Sequence, residues 1–292
     1  MTRPLVLKVG GTTLEDRAPG DALWRTIGAL HAGHAGGVVL VHGGGKAVDK
    51  HLDRLGFVTQ RREGIRVTPP EQLDEIVAVL AGRINKAVAG ALCASGAKAV
   101  GLCLGDGMAV PTRLATKYSF DVGRVGEVVL NARTGGTPGL LQRPMAGTGG
   151  TPVPPTAPNL LSVLLANGFL PVVSSIGIDE AGGFLNINAD DAAAGIAARL
   201  NAAALVLLTD VPGILDGAKR LVREVSPGAV GGQEGIEGLI TRGEITGGMI
   251  VKARAAAEVA TTSGVPVIIT DASVASLEAL AKGEATGTRI VA

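Results

Sequence analysis

Aromatic side chains are nearly missing from this chain, with Trp, Tyr and Phe together only 2% of the residues. A core this poor in rings must be aliphatic, and the 46% hydrophobic content supplies ample Val, Leu, Ile and Ala for one. Cysteine is scarce as well. Cys93 and Cys103 sit in an apolar helix-to-strand stretch and read as small buried hydrophobes, not as a disulfide staple. No zinc spacing is present, since His31 and His34 have no cysteine or carboxylate cluster beside them. Charge of one sign is lacking too: 27 basic against 26 acidic residues give a net +1. That balance argues against a nucleic-acid partner, which calls for a basic excess or stripe. The densest cluster, Arg61-Arg62 with Arg66 nearby, suits a small anion better than a polymer. The longest apolar stretch, over 87–110, is broken by Ser95, Lys98, Asp106 and several glycines, so no membrane span is expected. Met1 leads straight toward a strand holding Lys8, which reads as no signal peptide and a soluble, cytoplasmic protein.

What the chain has in quantity is glycine, 44 residues without a collagen-like period. That abundance indicates many tight turns and close backbone approaches. The apolar pattern predicts strands over 4–9, 37–41, 99–104, 169–174, 204–209 and 265–269. It predicts helices over 22–32, 46–55, 71–94, 159–167, 191–200, 251–262 and 274–281. Strands apolar throughout and joined by helical crossovers indicate a parallel sheet covered on both faces. Ligands in such sheets bind at the C-terminal strand edges. At this length the chain can be one large α/β domain or two closely packed lobes. The Gly/Thr/Pro-rich stretch 133–158 has almost no periodicity and reads as a flexible surface excursion, either a tolerated insertion or a lid.

Two glycine clusters each follow an apolar run. Lys8-Val9-Gly10-Gly11 follows the first strand, and His42-Gly43-Gly44-Gly45 follows the second and opens a helix with Lys46. Exposed backbone N–H groups at a helix start form an anion cradle, best suited to phosphate. A lysine inside an apolar strand is rare unless paired or functional, which marks Lys8. Gly247-Gly248 opens the helix carrying Lys252, where a cation opposes the helix dipole and serves an anion instead. Two lysines far apart in sequence supply the mobile charge of phosphoryl transfer.

Other segments carry weaker signals. Arg66, in Gly64-Ile65-Arg66-Val67-Thr68, offers a planar fork matched to a carboxylate. Asn186, Asn188, Asp190 and Asp191 crowd four polar groups into six positions before an alanine-rich helix. Capping explains one of them; the surplus suggests a carboxylate that orients cations and an amide that binds substrate. Thr209-Asp210-Val211-Pro212-Gly213-Ile214-Leu215 follows the strongest strand, at an edge suited to a nucleotide. His42 reads as a packed or hydrogen-bonding residue and is given no role. No Gly-x4-Gly-Lys-Ser/Thr loop, dinucleotide fingerprint or Gly-x-Ser-x-Gly elbow occurs, which disfavours a dinucleotide oxidoreductase and a serine hydrolase.

Taken in order, these motifs resemble the amino acid kinase family over nearly the whole chain. Leu104-Gly105-Asp106-Gly107, the stretch 171–177 and a closing strand at 287–290 complete the set. The resemblance implies a three-layer α/β/α sandwich with a mainly parallel central sheet, forming a single domain over 1–292. Its N-terminal lobe, about 1–175, would bind the acyl amino acid and dimerise; its C-terminal lobe, about 176–292, would bind ATP. It implies ATP-dependent phosphorylation of the side-chain carboxylate of N-acetyl-L-glutamate, a step of arginine biosynthesis. Lys8 and Lys252 would stabilise the transferring phosphoryl group, with Asp190 orienting both. Gly44, Gly45, Arg66 and Asn186 would bind the acceptor. Gly10, Gly11, Asp210 to Leu215 and Glu244-Ile245-Thr246 match stretches that hold the nucleotide. Mg²⁺ would ride mainly on the ATP phosphates, with no protein metal site, and the assembly would be a homodimer insensitive to arginine. Thr12-Thr13 stands where a residue can touch the acyl group. Two rivals remain at this stage: a kinase for another N-blocked acidic amino acid, carrier-linked, and a non-catalytic sensor on the same fold.

Overall fold

The computed structural model describes residues 2–14, 17–129, 159–228 and 232–292, so the excursion at 133–158 lies outside the described residues. Along the chain run β1 (Leu5–Val9), α1 (Gly11–Leu14), α2 (Ala22–Gly33), β2 (Val38–His42) and α3 (Gly45–Arg54). A two-strand hairpin, β3 (Arg61–Arg62) and β4 (Ile65–Arg66), leads into α4 (Pro70–Val77), a π-helical stretch at Ala78–Ile84, and α5 (Asn85–Ala94). Then come β5 (Ala99–Cys103), β6 (Thr112–Leu114), β7 (Val125–Val128), α6 (Leu160–Ala166), β8 (Leu170–Ser174), β9 (Ile176–Ile178) and β10 (Phe184–Ile187). The last third holds α7 (Ala189–Arg199), β11 (Ala204–Thr209), β12 (Glu224–Val225), α8 (Gly235–Thr241), α9 (Gly248–Ser263), β13 (Val267–Asp271), α10 (Val274–Ala281) and β14 (Thr288–Ile290).

Eight strands form one sheet in the order β12-β14-β13-β11-β1-β2-β8-β5. Every pairing is parallel except β13 with β14. Strand β1 lies in the middle, with Leu5 level with both Ala204 and Val38. Successive side chains on a strand point to opposite faces, and here both faces are covered. Leu5, Leu7 and Val9 pack with α2 and α5 residues such as Leu23, Ile27 and Leu92, while Val6 packs with α7 and α9 residues such as Ile196 and Ala256. That two-sided burial is why these strands read as continuous apolar runs.

A smaller sheet, β6-β7-β10-β9, and the hairpin β3-β4 were not foreseen. Their strands are two to four residues long and partly polar, too short to show a period. The expected single helix over 71–94 is there, but it widens into i→i+5 bonding at Ala78–Ile84, a distortion frequent at functional sites. Pro70 stands at its first position, where the missing N–H costs nothing.

Candidate active site

Lys8 shares the face of Val6, the face covered by α7, and only 8% of it is exposed. Its Nζ lies 2.8 Å from Asp190 Oδ1 on the first turn of α7. At that distance the ammonium and the buried carboxylate oxygen form a close ion pair. Lys8 is therefore a paired residue inside the central strand, not one reaching for bulk water. Lys252, on α9, joins the same group: burial holds its pKa below the ordinary lysine value and Lys8 pushes the same way, while Asp190 and Asp210 pull it up. It makes no ion pair of its own among the described residues. Lys8 contacts the Asp190 carboxylate and Lys252 lies within its electrostatic reach, so two ammonium groups share one carboxylate, an arrangement suited to an anion.

The crowded polar run resolves into separate tasks. Asn188 is the N-cap of α7, its Oδ1 accepting from the N–H of Asp190 at 2.8 Å and of Asp191 at 3.4 Å. Asp190 meets Lys8, and Asp191 pairs with Lys117 at 3.1 Å. Asn186 donates from Nδ2 to Thr68 Oγ1 at 3.0 Å and lines a cavity of about 170 Å³.

That cavity lies between the glycine turn and the small sheet. Its lining includes Gly43, Gly44, Gly45, Arg66, Ser175, Asn186, Ala189 and Asp191 beside the apolar Val48, Ile76, Leu80 and Val125. The two glycine clusters meet here: a Cβ on Gly11 would lie 3.6 Å from Gly44 Cα and Gly45 N. Nothing stands within 4 Å of where a Gly45 Cβ would be, so that position is open. As first-turn groups of α3, the N–H groups of Gly44 and Gly45 have no carbonyl a turn earlier to bond.

A model of the amino acid kinase family matches residues 3–271. This chain belongs to the amino acid kinase family. Among solved structures it is similar to the protein smu.665 of Streptococcus mutans, at 24% identity and a TM-score of 0.70, over 99% of this chain and 98% of that one. It is also similar to N-acetylglutamate synthase from Neisseria gonorrhoeae, complexed with coenzyme A and N-acetyl-glutamate: 21% identity, TM-score 0.72, 99% of this chain but 59% of that one. Carbamate kinase from Giardia lamblia, bound to AMP-PNP, matches at 21% identity and a TM-score of 0.62, over 99% and 98% of the two chains. At these identities the likeness is one of fold.

For a member of this family, the site also holds residues the sequence did not single out. Arg66 is buried in the cavity wall, yet part of its fork is taken. Asp49 stands 2.5 Å from its Nη1, and the Gly45 carbonyl accepts from Nη2 at 2.9 Å. Asp49 also meets Arg61 at 2.8 Å. Burial pushes the Asp49 carboxyl up, but the two guanidinium groups outweigh it and hold its pKa below the usual range. Asp49 lies one helical turn after Gly45, and that spacing was the available clue. Tyr118, the chain's single tyrosine, lines the cavity, with the Phe120 ring tilted against it at 5.8 Å and Arg62 over the Phe120 ring at 4.3 Å.

The expected nucleotide stretches are brought side by side. Glu244 Oε2 accepts from the Gly217 N–H at 2.9 Å while Oε1 meets Arg242 at 2.5 Å, tying the 244–246 segment to the turn after Leu215. The side chains of Ile214 and Ile245 are buried in the core. Ile214 N–H donates to Thr288 Oγ1 at 2.8 Å, and Gly213 cannot carry a side chain because Thr288 and Leu221 fill the space. Val211, Pro212 and Thr246 are at least partly exposed, and Asp210 is exposed beside Lys252. Thr13 does not line that first cavity; it lines a second one of about 370 Å³ with Arg17, Thr209, Asp210, Asp271 and Ser273. The cluster thus adjoins both linings, through Ala189 and Asp191 on one side and Asp210 on the other.

His42 closes the floor of the glycine turn. It is fully buried, and burial pushes its pKa down to about 4, partly opposed by the hydrogen bond to the Gly43 carbonyl. The unfolded chain, with its histidine near 6.5, binds the extra proton first as pH falls. Stability present above pH 6.5 is therefore lost between about 6.5 and 4, on the order of 3 kcal/mol. Urea unfolding at pH 7 and pH 4.5 should show this loss, and His42→Asn should flatten it.

Proposed function

We propose that this protein transfers the γ-phosphoryl group of ATP to the side-chain carboxylate of N-acetyl-L-glutamate. The observation that carries the reading is the Lys8–Asp190–Lys252 cluster adjoining a cavity that combines free N–H groups, a guanidinium and an amide. A carboxylate acceptor is ionised at neutral pH and needs no general base. One of its oxygens attacks the γ-phosphorus, a P–O bond forms, the bond to the ADP oxygen breaks, and its electron pair leaves with ADP. The obstacle is repulsion between two anions. Lys8 and Lys252 would meet the charge on the phosphoryl oxygens, with Asp190 between them keeping both ammonium groups aimed. Gly44 and Gly45 would receive the acceptor through backbone N–H groups. Arg66, after its bonds to Asp49, Thr59 and Gly45, still has Nε–H and one Nη2 hydrogen for the α-carboxylate. Asn186 would complete that grip. Val48, Ile76, Leu80 and Val125 form the apolar share of the wall, suited to the acetyl group.

The nucleotide would lie along Gly10-Gly11, Asp210 to Leu215 and Glu244 to Thr246. Among the described residues no three potential ligands gather into a metal site. Mg²⁺ accompanying ATP would accordingly be held mainly by the phosphates. The test is hydroxylamine trapping of the acyl phosphate, with N-acetyl-L-glutamate, glutamate, aspartate and N-acetylaspartate as parallel acceptors. Turnover confined to N-acetyl-L-glutamate supports the reading. Turnover of none of them overturns it and favours a carrier-linked acceptor or a sensor.

A homodimer belongs to the same proposal. Strand β5 ends the large sheet, and all five of its residues are half-buried. The helical run Pro70–Ala94 is apolar over much of its length, yet part of it is left uncovered in this fold. An edge unpaired among the described residues, beside a partly uncovered apolar helix, fits pairing with a second copy. Light scattering should give twice the chain mass of 29.2 kDa, and a single chain mass would overturn this part of the proposal.

A further inference from the structure

His42 stands in the glycine motif but has no part in the chemistry above. Its ring is held from both sides inside the core. Nε2 lies 3.1 Å from Asn85 Nδ2, and Nδ1 lies 3.0 Å from the Gly43 carbonyl oxygen. Asn85 Nδ2 also reaches the carbonyls of Val172 at 2.9 Å and Leu102 at 3.3 Å. The Gly43 carbonyl can only accept, so the ring proton must sit on Nδ1, leaving Nε2 as an acceptor beside an amide whose two hydrogens are shared among three acceptors. Nδ1–H therefore donates to Gly43 O. No peptide among the described residues is cis, so the Gly43 C=O and the Gly44 N–H point in opposite directions. With the carbonyl drawn toward the buried ring, the N–H points away from it, and Gly43, Gly44 and Gly45 all line the cavity.

The turn is braced from the other side as well. A Cβ on Gly44 would lie 2.2 Å from Ile84 Cδ1 and 2.9 Å from Leu80 Cδ2, so the π-helical stretch packs directly against it. Asn85 itself needs Gly101, where a Cβ would fall 2.1 Å from its Oδ1. We propose that His42, oriented by Asn85, is a positioning residue that aims the Gly44 N–H at the reacting anion as an oxyanion donor. It acts as a fixed neutral dipole, not as a base, because both ring nitrogens are engaged in the core.

The kinetic consequence rests on the phosphotransferase reading above; the tautomer does not. ¹⁵N-histidine NMR of the wild-type protein between pH 5.5 and 8 should show His42 as the neutral Nδ1–H tautomer, untitrated throughout. An Nε2–H tautomer, or titration near pH 6.5, overturns the proposal without any variant. Hydroxamate formation from N-acetyl-L-glutamate is then compared in His42→Leu, which has no donor, and His42→Asn, which keeps a donor at the δ position. His42→Leu should lose about 10²-fold in kcat, the scale for one oxyanion donor, with KM for ATP within about threefold. His42→Asn should recover to within about fivefold of wild type. If both variants keep wild-type kcat and only melt earlier, the residue is structural and the proposal fails. If the wild type turns over no acceptor, the substrate reading fails and the NMR result alone decides this one.

Discussion

Lys8→Met is expected to lower kcat by about 10³-fold or more, with the acceptor KM within about threefold. Cations placed on a transferring phosphoryl group contribute on this scale. Lys8 emerges from the central strand beside Asp190, and Lys252, the other lysine of the cluster, already supplies a charge of its own. Methionine matches the length of the stem and removes only the charge. Asp190, 29% exposed at its side chain, can turn to water when its partner is gone, so the melting temperature should fall only modestly. A variant that keeps more than about a tenth of wild-type kcat contradicts the assignment. So does one that loses turnover only through a raised acceptor KM, since that is the signature of ground-state binding.

Lys252→Met should separate activity from stability. Turnover should fall by about 10²- to 10³-fold, while the melting temperature at pH 7 stays level or rises. The sign follows from burial. Below its depressed folded-state pKa, Lys252 is charged in both states and the folded protein carries the full cost of burying it. As pH rises from there toward the ordinary lysine value of 10.5, the folded state can release the proton while the unfolded chain still holds it, so stability increases. Methionine removes that cost at neutral pH and also the repulsion from Lys8. Sites that hold like charges for a ligand commonly gain stability when the charge is deleted. Scanning calorimetry beside steady-state kinetics checks both halves; a melting point lowered by more than about 5 °C, a ΔΔG of roughly 3 kcal/mol for a chain of this length, would show that Lys252 instead supports the fold.

The parts legible in the sequence are those with long or two-sided signals. Strands β1, β2, β8 and β11 are buried on both faces and read as unbroken apolar runs, and Lys8 stood out because it interrupts one. Capping chemistry pointed to the start of α7, though which of its four polar residues was the cap needed coordinates; it is Asn188. The small sheet escaped because β7 and β10 are only four residues long, yet they deliver Val125 and Asn186 to the cavity wall. Asp49 escaped for another reason. On an exposed-looking helix it resembles any solvated acid, and only the fold of the hairpin β3-β4 brings Arg61 and Arg66 onto it. His42 escaped because its partner Asn85 lies 43 residues away, in a helix where it sits between Arg83 and Lys86 and reads as one more polar position. Local patterns disclose what a residue contributes to its own element, and long-range pairings remain hidden until the sheet order is known.

The most direct test follows one oxygen atom. N-acetyl-L-glutamate labelled with ¹⁸O in its side-chain carboxylate is incubated with the protein, Mg-ATP and hydroxylamine, and the released phosphate is read by ³¹P NMR. If a carboxylate oxygen attacks the γ-phosphorus, hydroxylamine then cleaves the acyl phosphate at carbon and each phosphate carries one ¹⁸O. Phosphate released without label, alongside ADP, would mean that water is the acceptor and would contradict the account.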